Sequence, residues 1–160
     1  MSSERFERYV LIAQRFGART VLFQEAAARR LGLTATQLEC FQLVRNERPM
    51  TASQLARETG LTQASLSVVV EKLASRGFLS REQDPSDRRR WILKADRQAI
   101  ATVDAIYGDH VKRTTSLLDE YGDDELDAAL RFMTRLAEEL REATVEFSGD
   151  HSSANRGDPQ

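Results

Sequence analysis

Residues 50–93 read MTASQLARETGLTQASLSVVVEKLASRGFLSREQDPSDRRRWIL, and the order of signals in this stretch decides the fold. Thr51 stands where an N-cap belongs, ahead of Ala52 to Thr59 with Leu55 and Ala56 facing inward, and Gly60 stops that helix. Thr62 caps a longer helix from Gln63 to Arg76, in which Leu66, Val69, Val70 and Leu73 recur at helical spacing. Gly77 suits the left-handed residue that terminates it. Two helices joined by a tight glycine-containing turn make a helix-turn-helix. The chemistry then becomes extended: Phe78 to Glu82 reads as a strand and Arg90 to Leu93 as its return, with Asp84-Pro85-Ser86-Asp87 turning between them. A polar hairpin whose tip carries Arg88, Arg89 and Arg90 is a wing.

On either side of this head the pattern is helical. From about Arg5 to Arg30, Phe6, Val10, Ala13, Phe16 and Val21 recur at helical spacing, and Ala26, Ala27 and Ala28 add propensity before Gly32 breaks the run. Thr34 is the expected cap of a second helix carrying Leu38, Phe41 and Val44, which ends before Pro49. After the hairpin, Asp96 to Glu120 carries Ile100, Val103, Ile106, Val111 and Leu117. Asp123 is expected to cap a last helix through Leu126, Leu130, Met133, Leu136 and Leu140 to about Phe147. The expected fold is mainly α, in the order α-α-α-α-β-β-α-α. It forms one domain over residues 1–147, with a winged head at about 34–94 and long helices at about 4–31 and 96–147. Residues 148–160, rich in Ser, Gly and Asp, are expected to be a disordered tail. A first helix and two last helices cannot bury their apolar stripes on a small head alone. The economical solution is the same elements of a second copy, which predicts a homodimer.

Composition bounds the function. With 160 residues, 41% of them hydrophobic and 30% charged, the chain can bury a core and stay in solution. It has no apolar run of about 18 residues that would span a membrane, and its start does not read as a secretion signal. A single cysteine, Cys40, suits a reducing cytoplasm. The net charge of −2 hides an uneven distribution. Lys72 to Lys94 holds seven basic residues against three acidic ones, while Asp119 to Asp150 holds eleven acidic residues against Arg131, Arg135 and Arg141. A basic middle with an acidic distal end suits a molecule with one face toward a polyanion.

The ordered combination of SQLARETG, KLASRGFL and DPSDRRR in residues 50–93 resembles the MarR family of transcriptional regulators. The resemblance extends in layout to about residue 147. It implies a homodimer with interleaved terminal helices that binds a pseudo-palindromic site in double-stranded DNA, usually as a repressor. The second helix of such a module enters the major groove, N-terminal residues nearest the base edges, which nominates Gln63, Ser65 and Ser67. Thr62 at the helix N-terminus, with Lys72 and Arg76 further along, would meet phosphate oxygens. The resemblance also implies that Arg89 enters a minor groove, where a narrow negative A·T-rich channel favours a guanidinium. Asp87 is expected to brace the wing arginines by charge-assisted hydrogen bonds, and Arg88 and Arg90 to touch phosphate or stay solvated. The bland alternative for 87–90 is an exposed charged turn.

Val68 departs from the family, which often has a long polar or basic residue there. Facing the groove it could contact only a thymine methyl, and it reads instead as a partly buried neighbour of the wing. Lys94-Ala95-Asp96-Arg97 lacks the family's threonine-and-glycine entry to the next helix, which leaves that boundary open. The resemblance further implies a small phenolic or other amphipathic effector, with Phe16, Phe23, Phe41 and Tyr107 as candidate contacts and Arg19 as an anion partner. Cys40, beside Glu39 and with no adjacent cation to lower its pKa, reads as a small buried hydrophobe. His110 and His151 are too isolated for a metal site, and nothing calls for a cofactor. The chain lacks a phosphate-binding glycine loop and a nucleophile elbow, so an enzyme is not expected. The rival reading is a winged-helix protein-interaction module without sequence-specific DNA binding, in which Arg89 would have no special use.

Overall fold

The computed structural model describes residues 2–46 and 50–154. Its elements run α1 Ser3–Arg30, α2 Ala35–Asn46, α3 Ala52–Thr59, α4 Gln63–Ser75, β1 Leu79–Gln83, β2 Trp91–Ala95, α5 Arg97–Leu118 and α6 Asp123–Ala154. This is the expected order, and the two-stranded antiparallel sheet following a helix pair makes it a winged helix-turn-helix. The chain divides into two compact units, Met1–Glu39 and Cys40–Gln160, with the boundary inside α2.

In the first unit, Ser2 caps α1 by accepting from the Arg5 N–H. Leu33 N–H then closes the far end on the Ala28 carbonyl at 2.9 Å. Thr34 and Gln37 form a reciprocal capping box at the start of α2. The Thr34 N–H donates to Gln37 Oε1 at 3.0 Å, and the Gln37 N–H donates to Thr34 Oγ1 at 3.2 Å. Leu11, Ile12, Phe16, Val21 and Leu22 of α1 are all exposed in the single chain.

The second unit holds the head. Thr51 and Gln54 repeat the capping box at α3, with bonds of 2.8 and 3.2 Å. Gly60, at φ +68°, turns the chain between α3 and α4 and also marks a close approach of α6. A β-carbon there would lie 2.8 Å from Ser148 Oγ and 3.2 Å from the Thr144 carbonyl oxygen. Helix α4 ends in a paired-bond motif: the Gly77 N–H donates to Ala74 and the Phe78 N–H to Leu73, with Gly77 at φ +72°. That turn carries Phe78 into the core, edge-on to Phe41 at 5.5 Å between ring centroids. Leu55, Leu66, Val70, Leu73, Leu79, Leu93 and Val103 are buried, as is Cys40. Arg45 of α2 and Asp104 of α5 form an ion pair at 2.8 Å, with the arginine side chain largely covered.

The hairpin sits further along the chain than the sequence reading placed it. Its register pairs Leu79 with Ala95, Arg81 with Leu93 and Gln83 with Trp91. Phe78 is held instead by the α4 terminus and the Asp96 N–H. The Arg90 N–H is used inside the turn by the Asp87 carbonyl, so pairing begins one residue later. Met50 adds a bridge to Leu93, whose N–H donates to the Met50 carbonyl at 2.8 Å. The open boundary after the wing closes on Asp96, whose Oδ1 accepts from the Gln98 and Ala99 N–H groups and caps α5.

Two corrections concern α6. Asp123 is its first helical residue rather than its cap. Gly122 takes that place, its carbonyl accepting from Leu126 and its N–H donating to Glu125 Oε2 at 3.1 Å. The helix also runs past Phe147 to Ala154, where a disordered tail was expected from 148. Once nucleated, a helix gains a bond per added residue, and no proline interrupts it before Pro159. The rest of that tail, 155–160, and the 47–49 stretch containing Pro49 lie outside the described residues.

Candidate nucleic-acid interface

Helix α4 is anchored by one face. Leu66, Val70 and Leu73 are buried, and a turn of 100° per residue puts Ala64, Val68, Glu71 and Ser75 on the opposite side, all exposed. Val68 is 67% exposed, which overturns its reading as a partly buried neighbour of the wing. The reason is angular: with Leu66 and Val70 inward, the residue midway between them must point out. Thr62 caps the helix, accepting from the Ser65 N–H at 3.1 Å while its hydroxyl donates to Ser65 Oγ at 2.9 Å. Ser67 donates back to the Gln63 carbonyl at 2.8 Å. The nominated Thr62, Ser65 and Ser67 are therefore exposed but engaged in local bonds, and the Gln63 amide is the longest polar group near the helix start. Lys72 is exposed on the next turns, while the Arg76 guanidinium lies over the Phe78 ring at 5.8 Å from its centroid.

The wing tip is shaped by its own carboxylates. Asp84 Oδ1 accepts from the Ser86 N–H at 2.9 Å and the Ser86 hydroxyl at 2.6 Å. These bonds, the hydroxyl's first, hold the Asp84 carboxyl below the usual aspartate range, and the Arg90 charge adds to them. Asp87 Oδ1 accepts from the Arg89 N–H at 3.0 Å. This corrects the expected bracing: Asp87 orders the main chain of the wing, not a guanidinium. No ion pair of the described residues engages Arg88, Arg89 or Arg90, and all three are exposed. Further down the hairpin, Lys94 and Glu82 pair across the strands at 3.1 Å.

Helix and wing converge on features that the sequence reading missed. Ser67 of α4 shares a cleft with Ala52, Arg81, Trp91 and Leu93. Trp91 also borders a second cleft with Ser53, Gln54, Arg57 and Arg90. Strand alternation puts Arg81, Trp91 and Leu93 on one face of the hairpin. Its buried end at Leu93 joins the core, and its outer end leaves Trp91 exposed. A lone tryptophan beside three arginines was the available signal, but its face depends on the register. The surface so formed can offer an anionic polymer several cations around one exposed helix.

The effector candidates lie on α1, α2 and α5. Phe16 and Arg19 are exposed on α1 and Phe23 is at the margin of exposure. Tyr107 is half-buried on α5, and Phe41 is a core side chain with no exposed surface. Glu39 is held above the usual glutamate range by burial. Among the described residues no group of three His, Cys, Asp or Glu side chains could hold a metal ion, and no helix is long and apolar enough to cross a membrane.

Residues 33–91 match the model of the MarR family. Over 140 residues the chain is 33% identical to the HTH-type transcriptional regulator YcgE of Bacillus subtilis, covering 88% of this chain and 91% of that one. It is 28% identical over 96 residues to the HTH-type transcriptional repressor NicR of Pseudomonas putida, 60% of each chain. The crystal structure of Streptococcus pneumoniae FabT in complex with DNA superposes with a TM-score of 0.66 at 15% identity, covering 86% of this chain and 99% of that one.

Proposed function

The chain belongs to the MarR family of helix-turn-helix transcriptional regulators, and we propose that it is a cytoplasmic repressor that binds a pseudo-palindromic DNA site as a homodimer. The observation that carries this reading is the pairing of an exposed outer face on α4 with a wing tip whose three arginines are exposed and, among the described residues, form no ion pair. An unpaired exposed guanidinium keeps its full capacity for phosphate or a narrow groove. The DNA in the FabT complex and the repressor activity named for NicR support the same reading. The homodimer rests on the exposed apolar side chains of the long helices, Leu11, Ile12, Phe16 and Leu22 on α1 and Leu130, Met133 and Leu140 on α6. Faces of that kind mark association surfaces. The action is binding rather than catalysis. An amphipathic effector would relieve it by favouring a conformation that cannot span both half-sites. Among the sequence-nominated contacts, Phe16, Arg19, Phe23 and Tyr107 remain for that role.

The test is selection of bound duplexes from random-sequence DNA by the purified protein, followed by anisotropy titrations at several salt concentrations. An inverted repeat and an affinity that falls steeply with salt are expected, because phosphate neutralisation releases counterions. A salt-independent interaction, or no retained duplex, would sink the proposal.

A further inference from the structure

Val68 has no use in the folded chain. Its isopropyl group is 67% exposed at the middle of the outer face of α4, and a β-branched residue is a poorer helix former than the lysine or glutamate a merely solvated face would carry. Its surroundings narrow what it could meet. The hydroxyls of Thr62 and Ser67 donate within the helix, so the polar groups best placed beside it are partly occupied. Ala64, one turn before, adds another methyl to the same face, and Glu71, three residues on, adds a carboxylate. Glu71 would repel phosphate and Lys72, four residues on from Val68, would attract it, and neither gives the isopropyl group a partner on the DNA backbone. The major groove offers one apolar group on its base edges, the C5-methyl of thymine.

We propose that Val68, with Ala64 beside it, reads a thymine C5-methyl in each half-site, so that sequence choice rests on an apolar contact. This rests on the assignment of α4 to the major groove, and the two can fail separately.

The probe is a duplex recovered by selection with the 160-residue chain, in which each thymine of the half-sites is replaced in turn by deoxyuridine. One thymine position is expected at which losing the methyl weakens binding about fourfold per half-site, the scale of one buried methyl. Val68→Ala should bind the parent duplex about as weakly and no longer distinguish thymine from deoxyuridine there. Val68→Thr, which keeps one methyl, should retain part of the distinction. Circular dichroism of both variants should match the parent, because the site is exposed. Insensitivity to every replacement, full discrimination kept by Val68→Ala, or a pool without a consensus would overturn the assignment. If salt-sensitive duplex binding persists in those cases, only Val68 is misassigned. If no duplex binds at any salt, the groove reading of α4 falls with it.

Discussion

The outer face of α4 is made of short side chains on a backbone fixed from below, whereas the 84–90 wing tip is made of long charged ones on a backbone that fixes itself. Leu66, Val70 and Leu73 hold α4 to the core, so its exposed residues have no part in keeping it helical. The wing tip has no buried residue, and its shape comes from Asp84 and Asp87 accepting from neighbouring N–H groups. A surface held by a core can present small groups at defined positions and discriminate by fit. A surface held only by local turns can present charge, which acts over several ångströms and tolerates motion. Under the proposed function the two regions would divide the work: fine reading by α4, affinity and groove shape by the wing.

Four substitutions test that division. The largest effect is expected from Leu66→Ala, which empties a fully buried site under α4 and should lower stability by about 2–5 kcal/mol in urea denaturation. A loss well below that range would mean the core does not hold the helix. Gly60→Ala forces a β-carbon into a left-handed residue facing Ser148 and Thr144, and should cost about 1–2 kcal/mol or more by the same assay. Arg89→Ala should leave the unfolding curve unchanged and weaken duplex binding about tenfold, the scale of one arginine contact. Equal affinity for variant and parent would remove the wing from the interface.

The smallest effect concerns the turn itself. Because the folded Asp84 carboxyl titrates below its ordinary range, the turn gains stability above that range and loses it as pH falls through the folded-state value. Ser86→Ala removes the largest cause, so the Asp84 midpoint measured by carbon NMR should move back up. An unmoved midpoint would show that the serine does not shape the wing.

Local chemistry made much of this legible in the sequence. Thr34, Thr51 and Thr62 each precede a helix by one residue, and a cap acts within three residues of itself. The glycines at 60 and 77 and the aspartates of the wing turn act over similarly short spans. A group whose partner could come from either of two directions is not fixed by its neighbours in sequence. Asp87 braces a neighbouring N–H rather than a guanidinium, and Asp123 lies inside α6 because Gly122 and Glu125 close its start. The arginines and hydroxyls of the candidate site could be named from the sequence, but not the clefts that Trp91 forms with Ser67 and Arg81 on one side and with Arg57 on the other, which need the folded hairpin.

Residues a few positions apart, or a contiguous motif, were enough to give the order of elements, most of the caps and turns, and the family, the cap of α6 being the exception. Tertiary structure alone decided that Val68 faces outward, that Phe41 is core, and that Trp91 lines the clefts beside α4. Those outcomes depend on which face of a helix or hairpin meets the core, and that is settled only when Leu66, Phe78 and Leu93, distant along the chain, are buried together.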